Sequence, residues 1–208
     1  MTQLPRQPRE IEAESFRRIE AQAGAHGLAP EVWAVVRRMI HTTADFDYLN
    51  IARVHYKAVA AGGASLRAGR TVVTDTRMLL AGIRKRLERL GVDGLCFIDE
   101  PMVAQEAHTR GITRAAAAME RAAPLLAGGI AAIGNAPTAL FRLLELIKEG
   151  AAPPALIVGL PVGLVGAAEA KEALLHQDIP YITAAGPKGG SAVAAAVINA
   201  LAITALEI

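Results

Sequence analysis

The sequence predicts an α/β protein: a three-layer sandwich with a mostly parallel, doubly wound sheet of about five strands and a helical N-terminal segment. Two observations carry this reading. From residue 71 onward, short apolar runs are each followed by turn residues and then a helical pattern, as parallel strands joined by crossover helices require. The runs are also continuously apolar, as in Ala155-Leu156-Ile157-Val158, which marks a strand covered by helices on both faces.

Taken in order, the residues before 70 give only helices, at roughly 9–24, 30–41 and 45–61. In the second, Val32, Val35, Val36, Met39 and Ile40 form one apolar stripe. Strands are expected at 71–74, 94–98, 129–133, 155–159 and 181–183. The intervening helices should begin near Asp75, Pro101, Pro137, Gly166 and Ser191, and several should end at a glycine such as Gly91 or Gly150. No repeat or linker divides the chain. Residues 1–208 are therefore read as one domain, with a helical part at 1–69 and an alternating strand-helix part at 70–208.

Composition excludes several function classes. Lys and Arg number 22 against 20 Asp and Glu, a balance that argues against nucleic acid as a partner. Cys96, the only cysteine, lies in the apolar run Leu95-Cys96-Phe97-Ile98 and reads as a small buried hydrophobe; no internal disulfide can form. The opening MTQLPRQPREIEAESF lacks the apolar core of a signal peptide, so a cytoplasmic location is expected. The uncharged stretch 151–168 is long enough to suggest a membrane span. Pro153, Pro154, Gly159, Pro161, Gly163 and Gly166 interrupt it, and a buried strand followed by a turn fits better.

Ligands of doubly wound sheets bind beyond the carboxyl ends of the strands, and three turns there are informative. They are Gly134-Asn135-Ala136-Pro137-Thr138, Pro161-Val162-Gly163-Leu164-Val165-Gly166 and Gly186-Pro187-Lys188-Gly189-Gly190-Ser191. Each is read as delivering bare backbone amides to a helix N-terminus, a cradle for anionic oxygens. One such loop reads equally well as a tight turn, whereas three in succession point to a site. None contains a dinucleotide or P-loop fingerprint, and the histidines at 26, 55, 108 and 176 have no metal-ligand spacing, so no nucleotide, metal or other cofactor is expected.

The segment from Ile40 to Tyr48, with His41, Thr42, Asp45 and Asp47, joins two expected helices. At the carboxyl end of helix 30–41, His41 sits at the negative helix pole, which favours a protonated ring and hence a proton donor that Asp45 and Asp47 could orient. A histidine that only caps a helix, with Thr43 or Asp45 capping the next, explains the same residues. Both readings stand on local sequence.

Longer motifs favour the first reading. Arg38-Met39-Ile40-His41-Thr42-Thr43-Ala44-Asp45-Phe46, Ala132-Ile133-Gly134-Asn135-Ala136-Pro137-Thr138-Ala139-Leu140-Phe141 and the run from Gly159 to Glu172 resemble the precorrin-8X methylmutase family. Thr113-Arg114-Ala115-Ala116-Ala117 and Gly189-Gly190-Ser191-Ala192 match as well, and the motifs keep their order from Ser15 to Leu201. The resemblance implies an isomerase of cobalamin biosynthesis that moves a methyl group from C-11 to C-12 of precorrin-8 or its cobalt form, giving hydrogenobyrinic or cobyrinic acid. A formal 1,5-shift of this kind needs no methyl donor and no redox cofactor. It further implies His41 as the catalytic histidine, Ser15 as a substrate contact and Arg114 as an active-site arginine; beside these, His41 is read as the proton donor, Asn135, Gly163, Gly189, Gly190 and Ser191 of the glycine loops as binding the tetrapyrrole polycarboxylate, and Thr42, Asp45 and Lys188 as supporting.

A homodimer with its active site near the interface is implied too. Leu164 and Ala170 stand where the family often has Phe and Ser, and Thr42–Phe46 is more similar to the cobalt-precorrin-8 branch. Read without the family, Arg114 is an exposed residue opening a helix behind Thr113, Lys171 is a surface partner to nearby acids at helical spacing, and Arg84-Lys85-Arg86 is a solvated helix face. The competing functional classes are a corrinoid carrier that performs no reaction and a nucleotide-dependent α/β methyltransferase.

Overall fold

The computed structural model describes residues 7–206. Their elements, in chain order, are α1 (Pro8–Ala23), α2 (Pro30–Thr43), α3 (Tyr48–Ile51), β1 (Ala52–Val54), α4 (Ala58–Arg67), β2 (Val72–Thr74), α5 (Arg77–Leu90) and β3 (Gly94–Leu95). Then follow α6 (Pro101–Arg110), α7 (Arg114–Ala122) with a 3-10 turn at Ala123–Leu125, β4 (Ile130–Ile133), α8 (Pro137–Lys148), β5 (Leu156–Gly159), α9 (Ala167–Leu175), β6 (Tyr181–Ala184) and α10 (Ser191–Leu206). Helix starts follow sequence punctuation. Proline opens α1, α2, α6 and α8, where its missing N–H costs nothing. Thr76 and Thr113 cap α5 and α7 by accepting from the amides of Leu79 and Ala116, each at 3.1 Å.

The sheet runs β1-β6-β5-β4-β2-β3, with every neighbouring pair parallel except β1 with β6. Counted among themselves, the five parallel strands have the doubly wound order 2-1-3-4-5, whose topological switch point lies between β2 and β4. Side-chain alternation divides the core. Val72, Ile130, Ala132, Leu156, Val158, Ile182 and Ala184 face α1, α2, α4, α5 and α10, while Val73, Ala131, Ile133 and Ile157 face α7, α8 and α9. Helix α6 packs on the outside of α7 through Val103, Ala107, Ala117 and Ala118. The alanine-rich α10 is buried along most of its length against α5, α2 and α4; its small side chains let three helices approach one axis. The expected three-layer sandwich with a helical N-terminus is thus the observed fold.

Two details differ from the expectation. The expected helix 45–61 is interrupted by β1, which pairs antiparallel with β6 through Ala52 with Ala184 and Val54 with Ile182. Pairing covers the backbone edge that β6 would otherwise expose, and three residues are too few for a periodicity to announce. The sheet therefore has six strands, one of them within the part read as helical. Strand β3 spans only Gly94–Leu95, so Cys96 lies half-buried beyond its end at the sheet edge. In the uncharged stretch 151–168 the chain forms β5 and the loop after it, and among the described residues no helix is long and apolar enough to cross a membrane.

Gly134 lets two backbones meet where β4 ends and α10 begins. A Cβ there would lie 2.6 Å from Ser191 Cα and 2.9 Å from its nitrogen. We expect Gly134→Ala to cost about 2 kcal/mol, within the usual range for overpacking, seen as a lower urea midpoint with an unchanged m-value.

Candidate active site

Helix α1 lies on α2 largely through polar ties. Trp33 Nε1 donates to Glu20 at 2.7 Å, Arg37 to the same oxygen at 2.8 Å, and Arg38 to Glu12 at 3.0 Å. The Trp33 indole first, and then Arg37, hold the Glu20 carboxyl below the usual carboxylate range. Between the two helices opens a mostly apolar cleft of about 420 Å³, lined by Ile11, Glu14, Ser15, Arg18, His41 and Phe46 among others. His41 occupies the last turn of α2 and Ser15 the facing side of α1, with Ser15 Oγ hydrogen-bonded to His41 Nδ1 at 2.7 Å. The Phe16 ring meets the imidazole edge-on at 5.3 Å. One side of the imidazole is thereby fixed by a hydroxyl and an aromatic ring.

The turn after His41 is strongly organised. Ala44 closes α2 in a left-handed conformation, Thr43 accepts from the amide of Asp45, and Asp45 accepts from the amide of Asp47. The carboxylates of both aspartates grip Lys188, with Nζ to oxygen distances of 2.5 and 2.6 Å. This corrects the expectation that Asp45 and Asp47 orient the imidazole: their partner is Lys188, and Ser15 is the residue on the ring. The Lys188 ammonium holds the Asp45 carboxyl below its ordinary range, helped by the Asp47 amide, and the two carboxylates in turn raise Lys188 well above an ordinary lysine. Thr42 is exposed.

At the carboxyl end of β4 the loop amides are already engaged, which corrects the reading of a bare cradle at 134–138, while each of the other two loops has one amide bonded to its neighbour. In the crevice between β2 and β4, the Asp75 carboxylate accepts from the amides of Gly134, Asn135 and Ala136 at 2.9, 2.8 and 2.8 Å. Burial raises the Asp75 pKa, and the three amides pull in the opposite direction. The anion in this cradle is the chain's own. The Gly190 amide donates to the Leu160 carbonyl at 2.9 Å and that of Gly163 to the Pro187 carbonyl at 3.2 Å, binding the last two loops to each other. Gly189 is pressed against the same segment, since a Cβ there would stand 2.3 Å from the Leu160 oxygen. Ser191 Oγ pairs with Thr76 Oγ1 at 2.8 Å.

The remaining sites are spread over the rim. The side chain of Asn135 is exposed. Arg114 is exposed at the first position of α7, as its bland reading had it, on the opposite side of the sheet from α2 and outside the His41 cleft. Lys171 departs from its surface reading: it is 1% exposed and its Nζ donates to the Lys188 carbonyl at 2.5 Å. Burial pushes its pKa down to about 8. Among the described residues, no three His, Cys, Asp or Glu side chains gather in a metal-binding array.

Sequence reasoning missed Asp75 as a site organiser and Glu14 and Arg18 as cleft residues. The helical spacing of Ile11, Ser15, Arg18 and Gln22 on α1 was the available signal for the latter.

A doubly wound sheet with a serine-held histidine in an apolar cleft defines an α/β enzyme of small-molecule chemistry. The model of the precorrin-8X methylmutase family matches residues 10–204. The cobalt-precorrin-8 methylmutase of Leptospira interrogans is 43% identical over 97% of this chain and 96% of its own length, and that of Salmonella typhimurium is 45% identical over 94% of each. The crystal structure of precorrin-8x methyl mutase from Thermus thermophilus superposes with a TM-score of 0.89 at 43% identity, covering 96% of this chain and 97% of that one. The chain belongs to the precorrin-8X methylmutase family and is an isomerase, a methylmutase of cobalamin biosynthesis.

Two outcomes follow from the site's ties. Asp75→Asn sets an amide NH2 among three backbone donors and should cost about 3 kcal/mol in chemical denaturation. Lys171 titrates near 8 when folded and at 10.5 as an ordinary lysine, so its burial cost is full below about pH 8 and fades as pH rises toward 10.5. The melting temperature of the wild type should therefore gain on that of Lys171→Met across this window, and a constant difference would contradict it.

Proposed function

We propose that the chain moves the methyl group at C-11 of precorrin-8 to C-12, with His41 as proton donor. The observation that carries this reading is the Ser15–His41 hydrogen bond inside the cleft. With Nδ1 engaged by the serine, Nε2 is the nitrogen offered to a ligand. In the shift the C-11 to methyl bond breaks and the C-12 to methyl bond forms while the conjugated system rearranges, so no electrons enter or leave. A proton delivered to the macrocycle, or a hydrogen bond to a pyrrolic nitrogen, makes the migration terminus more electron-poor. General acid help of this type contributes about 10² to 10⁴-fold. The cobalt form is the preferred substrate, supported by the names of the relatives and by the Thr42–Phe46 sequence.

The cleft volume supports a shared site. About 420 Å³ lies toward the lower end of the roughly 300–1,000 Å³ of small-molecule pockets, and a tetrapyrrole edged with acetates and propionates needs more room. In our reading the chain is a cytoplasmic, single-domain subunit of a homodimer, and the second copy completes the slot and brings Arg114 to a substrate carboxylate, where its guanidinium can bind bidentately. Leu164 and Val165, 93% and 88% exposed on the rim loop, are apolar surface that such an assembly would cover. The loops of Asn135, Gly163, Gly189, Gly190 and Ser191 shape the carboxylate edge, with the Asn135 side chain reaching the ligand.

Anaerobic incubation with precorrin-8 or cobalt-precorrin-8, followed by visible absorption, tests the reaction. His41→Ala should lower kcat by about 10² to 10⁴-fold while still binding cobyrinic acid; undiminished turnover removes His41 from the chemistry, and binding of substrate without conversion by the wild type leaves a carrier. Co-expressed His41→Ala and Arg114→Ala chains should recover about a quarter of wild-type activity if each site draws on both subunits, because half of the randomly assorted dimers then hold one intact site. No recovery would place Arg114 and His41 in the same subunit's site, and an Arg114→Ala chain that is fully active alone would place Arg114 outside the site.

A further inference from the structure

The strongest unexplained group is Lys171. Its side chain is 1% exposed, its ammonium donates to the carbonyl of Lys188 at 2.5 Å, and among the described residues no carboxylate pairs with it. A buried charge facing a neutral carbonyl is a poor source of stability, and a methionine of similar shape would avoid the desolvation cost. What the charge adds is a strong, directional grip on one backbone oxygen.

That oxygen belongs to the residue that holds the turn behind His41. Lys188 is fastened at both ends: its carbonyl by Lys171 and its ammonium by Asp45 and Asp47. The adjoining Gly189 is seated against the carbonyls of Leu160 and Pro161, and the Gly190 amide is bonded to Leu160, so the loop has little freedom except at Lys188 itself. Resting on the assignment of His41 as proton donor, we propose that Lys171 is a positioning residue: by fixing the Lys188 backbone it sets the clamp on Asp45 and Asp47, and through that turn the placement of the imidazole. Lys171 itself touches neither substrate nor the reacting atoms.

The test uses the full chain as wild type, Lys171→Met, Lys171→Arg, Lys188→Met and the double variant Lys171→Met/Lys188→Met, assayed anaerobically for the methyl shift. Lys171→Met should lose about tenfold in kcat, in keeping with a small displacement of a catalytic group, with KM little changed and a melting temperature at neutral pH no lower than wild type. Lys171→Arg, which keeps a charged donor, should recover part of the loss. The double variant should be no slower than Lys188→Met alone, because both changes act through one clamp. A proton NMR signal of the His41 ring, assigned by its absence in His41→Ala, should move in the same direction in Lys171→Met and Lys188→Met.

Wild-type kcat in Lys171→Met, losses that multiply in the double variant, or a loss that only tracks a fall in melting temperature would overturn the inference. Should the wild type fail to convert the substrate, or His41→Ala convert it undiminished, the reading of His41 falls. The NMR signal still decides the coupling from Lys171 to the ring: an unmoved His41 resonance sinks it.

Discussion

The Asp75 carboxylate, held by three successive amides in the crevice between β2 and β4, is the constraint around which the site is arranged. A doubly wound sheet ordinarily leaves that crevice for a ligand, because two crossovers leave it in opposite directions and the helix N-terminus beyond it is electropositive. Here a side chain of the chain itself satisfies the amides and occupies the gap. The cleft beside His41 lies to one side, between α1 and α2, where the walls are mostly apolar. Such walls differ in kind from a loop of amides built for a small anion.

Displacing the site from the sheet axis creates a second requirement. His41 belongs to a helix outside the strand-helix alternation, so its position must be tied to the rim by contacts distant in sequence. Lys188 provides the tie, reaching Asp45 and Asp47 across more than a hundred residues of chain, and the pairing of β1 with β6 registers the following segment on the same sheet edge. Thr76, next to Asp75, bonds Ser191 at the start of α10, so the ends of β2, β4 and β6 are joined side chain to loop. The rim is a braced frame rather than a set of open loops.

Legibility in the sequence followed the range of the interaction. Apolar runs, prolines at helix starts and threonine caps are local signals, and the parallel strands and most helix starts were readable from them. Strand β1 was not, because three residues whose pairing partner lies far along the chain carry no period of their own. The glycine-rich turns are legible, but the fate of the Gly134–Ala136 amides depends on Asp75, some sixty residues upstream. Lys171 looked like any helix-surface lysine between acidic neighbours, and only the packing of α9 against the rim reveals its burial. His41 is legible as a candidate from its place at a helix end, Ser15 only through the family resemblance, and their contact joins residues 26 positions apart.

The distribution of charge around the cleft decides which ion pairs a polycarboxylate ligand can exchange. Glu14 is tied to Arg17 and Arg18, which hold its carboxyl down to about 2, yet Glu14 is only half-buried and both arginines are exposed, where such pairs contribute little net stability. Parting Arg18 from Glu14 therefore costs little. Lys188 is different in kind: two carboxylates share one ammonium, and parting them would undo the turn behind His41 as well as the ion pairs. The polar ties on either side of His41 thus differ in what parting them costs: the Glu14 pairs on α1 cost little, whereas opening the Lys188 clamp costs the ion pairs and the turn together.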